Sequence, residues 1–186
     1  FSTLLGAALA GAVSTADAAN IGSKAPKLQI EHWVKGKPVD LAKADEKKIH
    51  ILEFWATWCG PCRDSIPHLT KLQEKYKGKG VTVVGITDEP KATVERFVRR
   101  QGKQMEYTVA IEKGDTMSQA YMRAFGQTGI PATFVVDQKD RIVWVGHPKS
   151  GLDDVIDRLV KGTFNLEEEI AKERAQIRLQ QLSAEY

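Results

Sequence analysis

The sequence predicts one α/β domain built on a mixed β-sheet. Three observations lead there. Compact apolar runs at Ile49–Trp55, Val81–Ile86 and Tyr107–Ile111 alternate with segments of helical apolar spacing. Two more runs, Ala132–Val136 and Arg141–Val145, flank the hairpin turn Asp137-Gln138-Lys139-Asp140. A packed helical stripe of Leu152, Val155, Ile156, Leu159 and Val160 then stops at Gly162. The 186 residues suffice for one sizeable core, and no internal repeat is visible.

Residues 1–19 read differently from the rest. Leu4–Val13 is small and apolar, and Ala16-Asp17-Ala18 has the form a signal peptidase cleaves, after Ala18. The stretch is expected to be the remainder of a secretory leader, with an Ala-rich tail as the alternative. It is too short for a membrane span. A leader implies a periplasmic or otherwise extracytoplasmic protein, in an oxidising compartment where a cysteine pair can cycle.

The domain proper is expected over residues 20–162. It begins with short entry strands at Leu28–Ile30 and His32–Val34, a turn at Gly36-Lys37-Pro38, and a resumption at Val39 and Leu41. Ile49–Trp55, interrupted by Glu53, suits a central strand covered on both faces. A helix over Asp64–Tyr76 follows, with Ile66, Leu69, Leu72 and Tyr76 at helical spacing and a kink expected at Pro67. Asp88-Glu89-Pro90 ends the next strand, and Pro90 opens a helix over Ala92–Gln101 with Val94, Phe97 and Val98 inward. Met117, Ala120, Tyr121, Ala124 and Phe125 form another helical stripe. Residues 163–186 make a C-terminal extension whose charged helix, Glu167–Leu182, carries a narrow seam of Leu166, Ile170, Ile177 and Leu182. It is expected to dock on the domain, to pair with a second copy as a homodimer, or to stand in water.

The formal charge of +3 is well mixed, with no long basic run and no basic–aromatic interleaving. This argues against a nucleic-acid surface. The chain has two cysteines, both in Trp58-Cys59-Gly60-Pro61-Cys62, between a strand-like and a helix-like run. Cys59 would sit at a helix N-terminus, where unpaired N–H groups and the helix dipole favour thiolate over thiol. Cys62, one turn further in, would be better covered. Gly60 lets the loop turn tightly, and Pro61 fits a first helical turn because no donor is needed there. Cys59 is therefore expected to attack and Cys62 to resolve the mixed disulfide. A structural disulfide is the blander alternative, although so short a loop constrains little chain entropy. Zinc would need two more ligands, and His32, His50, His68 and His147 show no ligand spacing. Cu(I) handling by the same two sulfurs is the alternative function. No cofactor and no resident metal is expected.

Three more features bear on chemistry. Glu53 is a carboxylate in an apolar strand; buried beneath the cysteines its pKa would rise, and it could take the proton of Cys62. In the alternative, the strand lies near an edge and Glu53 meets water. Pro131 of Gly129-Ile130-Pro131 opens a strand in either the trans or the cis form; a cis bond would turn the polar groups of Ile130 toward an extended substrate peptide. Trp55 is expected to pack, and Trp58 to shape the surface beside Cys59.

Taken together these residues resemble the thioredoxin superfamily, in particular its secreted TlpA/ResA-like thiol-disulfide reductases. The stretch Glu53-Phe54-Trp55-Ala56-Thr57-Trp58-Cys59-Gly60-Pro61-Cys62 is similar to the family's active-site block. Glu53 stands where the family has a buried acid, usually Asp, and Pro67 where it has a helix-kinking proline. Phe125–Pro131 matches the run leading to the family's cis-proline, and Gly146 falls at a glycine near the substrate surface. The resemblance covers about Pro26–Gly162 and implies a thioredoxin-like fold, with Asp88–Ala120 as an extra strand-helix insertion. Peroxiredoxins carry Thr three residues before their reactive cysteine; Ala56 is there instead, which argues against peroxidase chemistry. The Gly-Pro dipeptide implies the reducing direction. The implied partners are disulfide-bonded client proteins and an upstream membrane or soluble electron donor.

Overall fold

A computed structural model describes residues 20–41 and 48–184. The leader expected at residues 1–19 lies outside the described residues. Six strands form one sheet: β1 (Ile30–Lys35), β2 (Ile49–Phe54), β3 (Val81–Thr87), β4 (Thr108–Glu112), β5 (Ala132–Val136) and β6 (Ile142–Gly146), in the order β1-β4-β3-β2-β5-β6. β2 pairs β3 and β3 pairs β4 in parallel. β5 runs antiparallel to β2, β6 to β5, and β1 to β4. The helices are α1 (Gly60–Lys75), α2 (Lys91–Gln101), α3 (Leu152–Lys161) and α4 (Leu166–Ala184). This is an α/β thioredoxin fold with a central mixed sheet flanked by helices.

Strand alternation divides the core into two layers. On one face Ile49 and Ile51 of β2 and Val83 of β3 pack with Ile66, Leu69 and Leu72 of α1, Phe97 of α2 and Ile156 of α3. On the other, Leu52 and Phe54 meet Val84, Ile86, Met117, Tyr121 and Phe134. Phe134 takes edge contacts from Phe54, Tyr121 and Phe125 at centroid separations of 5.6, 5.4 and 5.5 Å, an arrangement favoured by the ring quadrupoles. Every β2 residue is buried, so the strand that leads to the cysteines is covered on both faces.

Three expectations need correction. The two entry strands are one, Ile30–Lys35, bent by register shifts at Ile30/His32 and Trp33/Lys35; Val39 and Leu41 do not resume it, and Leu41 is buried from a turn. The active-site helix starts at Gly60 rather than Asp64, because Cys59 caps it. The stripe after Met117 is not α-helical: Ser118–Arg123 is a π-helix, whose wider turn buries Met122 beside Tyr121 while Ala124 and Phe125 stay half-buried.

The C-terminal extension docks by its first half. Arg158 of α3 reaches Asp154 at 2.8 Å and Glu169 of α4 at 3.0 Å, with the Phe164 ring 5.2 Å from the guanidinium. Leu166 packs against the core, whereas Ile177, Leu179 and Leu182 face solvent. The expected seam is therefore half-buried at Leu166 and Ile170 and exposed at Ile177 and Leu182.

Candidate active site

β2 ends at Phe54, and the chain turns through Trp55–Trp58 into α1. Cys59 is the N-cap: its backbone is extended (φ −76°, ψ 110°), and its Sγ accepts the N–H of Cys62 at 3.2 Å. Pro61 lies in the first turn, where its missing N–H is not needed. The positive end of the helix dipole lies at Cys59 and the Cys62 N–H already points at its sulfur, so the geometry favours an anionic sulfur in the dithiol form. Cys59 and Cys62 are joined in a disulfide with Cα atoms 5.3 Å apart. Cys62 is fully covered and Cys59 retains 4 % exposure, beside a Trp58 that is 72 % exposed; of the pair, Cys59 is the one nearer the surface.

The Ile130–Pro131 peptide bond is cis. The Ile130 carbonyl oxygen lies 3.7 Å from Cys59 Sγ. Trp58, Gly129 and Ile130, with Met122, Arg123 and Gln127 from the π-helix side, line a groove of about 430 Å³.

Glu53 lies at the centre of the sheet, not at an edge. In one row across the strands, Gly146 pairs with Thr133, Thr133 with Glu53, Glu53 with Gly85, and Gly85 with Val109. Alternation puts Glu53 on the face of Ile49, Ile51 and Trp55, the layer that holds Cys59 and Cys62. The residue is wholly buried. Its Oε2 accepts the Tyr107 hydroxyl at 3.4 Å, and Oε1 has no hydrogen-bond partner among the described residues. Burial pushes its carboxyl up to about 8, against the smaller opposing pull of the Tyr107 hydrogen bond. Gly146 enters the site only through this row; a Cβ there would sit 2.7 Å from the Trp144 ring.

Two contributors escaped sequence reasoning. Tyr107 was legible only as the start of a strand. Glu89 was legible only as part of a strand-stopping turn, yet its carboxylate accepts the Thr57 N–H at 2.6 Å and the Thr57 hydroxyl at 2.7 Å. Thr57 is two residues before Cys59, so Glu89 fixes the loop that presents the sulfur. Replacing Glu89 by Ala strands the half-buried Thr57 N–H and is expected to cost about 1–3 kcal/mol. Denaturant unfolding of the oxidised protein checks the stability, and the rate of client-disulfide reduction is expected to fall with it.

A cysteine pair capping the helix after a central strand, facing a cis-proline loop, defines a thiol-disulfide oxidoreductase of thioredoxin fold. Comparison with known proteins agrees. The Redoxin family profile matches residues 20–157. "Thiol-disulfide oxidoreductase ResA" of Bacillus thuringiensis is 33% identical over 124 residues, 66% of this chain and 67% of that one. "Protein FixW" of Rhizobium leguminosarum is 26% identical over 157 residues, 80% of this chain and 70% of that one. The crystal structure of a thiol:disulfide interchange protein of the thioredoxin family from Chlorobium tepidum is 31% identical, covers 78% of this chain and 99% of its own, and superposes with a TM-score of 0.58. The chain belongs to the Redoxin family, in the ResA/TlpA-like branch of the thioredoxin superfamily.

Proposed function

We propose that this oxidoreductase runs in the reducing direction, on disulfides of client proteins in an extracytoplasmic compartment. The observation that carries the exchange chemistry is the asymmetry of the cysteine pair, with Cys59 capping the helix N-terminus beside the exposed Trp58 and Cys62 fully covered behind it; the Gly60-Pro61 dipeptide between them, which resembles that of reducing thioredoxins, supports the direction.

An extended client segment lies along the groove beside Trp58, Gly60 and Pro61 and pairs with the Ile130 backbone at Pro131, with Gly146 bordering the same end of the sheet. The Cys59 thiolate attacks one client sulfur; a Cys59–client bond forms, the client disulfide breaks, and the released client thiolate takes a proton from water. Cys62 then gives its proton to the Glu53 carboxylate and attacks Cys59 Sγ. The Cys59–Cys62 bond forms, the second client thiolate leaves, and two electrons have passed to the client. A dithiol donor, membrane-bound or soluble, restores the reduced pair. The leader-like residues 1–19, set apart from a domain at 20–162 and an extension at 163–186, support the extracytoplasmic placement.

The test is equilibration of the purified protein with glutathione. A reduction potential well below the glutathione poise is expected, together with catalysed reduction of insulin. A potential well above it would make the protein an oxidant and overturn the direction.

A further inference from the structure

We propose that Tyr107 is the positioning residue for Glu53: its phenol crosses strand β3 through the gap left by Gly85, holds one oxygen of the buried carboxyl, and stands between that acid and a solvent basin beside the C-terminal half of α1. The functional consequence rests on the proton-relay role given above to Glu53; the contact itself does not.

The gap is a property of residue 85. β3 lies between β2, which carries Glu53, and β4, which Tyr107 precedes. Gly85 is the β3 residue paired with Glu53. A Cβ built on it would lie 3.1 Å from Tyr107 Cε2 and 2.9 Å from Trp55 Nε1. These distances are too short for a side chain to be added without displacing one of the two rings. A glycine inside a strand commonly marks such a close approach. Here the approaching group is the ring that delivers a hydroxyl to Glu53 Oε2.

The segment leading into Tyr107 is fastened from two elements. Thr70 of α1 donates its hydroxyl to the Gln104 carbonyl at 2.6 Å and accepts the Glu106 N–H at 3.0 Å. Lys35 of β1 donates to the Met105 carbonyl at 2.6 Å and to Glu106 Oε1 at 2.9 Å. The helix that begins at the cysteines thus also anchors the approach of the phenol, two turns further along. Tyr107 lines a basin of about 710 Å³.

The chemistry of the pair is one-sided. Burial and the neighbouring Glu53 hold the Tyr107 phenol well above its usual range, so it serves as a donor and not as a base. A donor to a carboxylate favours the ionised form. Tyr107 therefore opposes burial and keeps a fraction of Glu53 able to receive a proton. The other polar groups on the same face are the unpartnered Thr133 hydroxyl of β5, paired with Glu53 across the sheet, and the indole N–H of Trp55, two residues on; Cys62 of α1 belongs to the same core layer. The charged groups of the basin, Lys35, Glu74, Lys77, Lys103 and Glu106, lie along the wall that Tyr107 shares.

The experiment is a carbon-13 NMR titration of the Glu53 carboxyl in the oxidised protein, wild type against Tyr107→Phe, which removes one oxygen and keeps the ring. The variant is expected to titrate at higher pH, with a roughly tenfold loss of ionised Glu53 near neutrality. Superimposable titrations would overturn the proposal. The pH profile of the resolving step, read as release of a trapped client, gives the functional consequence. Tyr107→Phe is expected to move its rise to higher pH and to leave the profile unchanged in a Glu53→Gln background. If Glu53→Gln keeps the wild-type profile while Tyr107→Phe still shifts the titration, the relay fails and the hold of Tyr107 on Glu53 stands. If Tyr107→Phe also moves the profile in the Glu53→Gln background, the functional claim for Tyr107 is overturned.

Discussion

Cys59→Ser is expected to reduce disulfide exchange to the uncatalysed background, while Cys62→Ser is expected to capture clients as stable mixed disulfides. The two variants differ because the sulfurs occupy different places. Cys59 holds the end of α1, where the N–H of Cys62 already reaches its sulfur at 3.2 Å, and of the two cysteines it alone retains exposure. Removing it removes the nucleophile. Cys62 is fully covered. No client sulfur reaches it, so its loss spares the first attack and blocks only the second. Non-reducing electrophoresis of Cys62→Ser after incubation with a disulfide-bonded client should show an adduct that dithiothreitol releases. An adduct formed by Cys59→Ser, or none by Cys62→Ser, would reverse or remove the assigned order.

Glu53→Gln is expected to abolish a loss of stability that the wild-type oxidised protein suffers between about pH 6.5 and 8. The acid titrates from 4.5 in the unfolded chain to about 8 in the fold, mainly through burial. Between those values the native state holds a proton that the unfolded state has released. Raising the pH therefore favours unfolding, and the loss is complete once the pH passes the folded value. His50 works the other way over part of the range. Burial, with Lys48 nearby, lowers its imidazole from 6.5 to about 4, so its contribution improves with pH up to 6.5 and is then constant. The two nearly cancel between 4.5 and 6.5. Above that window Glu53 acts alone, and a fall of about 2 kcal/mol is expected by pH 8. Urea titrations at intervals across this range would read it directly. A flat wild-type profile, or a Glu53→Gln profile as steep as the wild type, would contradict the assignment. Slower resolution of mixed disulfides should accompany the variant.

Much of the fold was legible because apolar periodicity is a local signal. β2, β3, β5, β6 and α3 fall within a residue or two of the runs that announced them. The failures have physical causes. The π-helix at Ser118–Arg123 repeats at a wider angle than the α-helical spacing, so Met122 was overlooked and Phe125 overrated. β1 is bent by its register shifts, which erased the alternation that would have revealed it as one strand. In the site, Cys59, Cys62, Glu53 and Pro131 stood out by type and spacing. Tyr107 and Glu89 did not, because their roles depend on partners 54 and 32 residues away. Gly85 carried the one available clue, a glycine in an otherwise β-branched strand.

The sulfur that caps α1 has a thermodynamic role as well as a chemical one. Each turnover alters the electron density of the atom that accepts the Cys62 amide in the first turn of the helix, so the end of α1 is held more firmly when the pair is reduced than when it is oxidised. Stabilising the reduced state in this way raises the potential of the couple and makes its disulfide more oxidising. An ionised carboxylate below the pair works against the same anion. The electron affinity of this protein is thus set by a contest between a helix terminus and a buried acid, and a swap at either end should retune it without touching the cysteines.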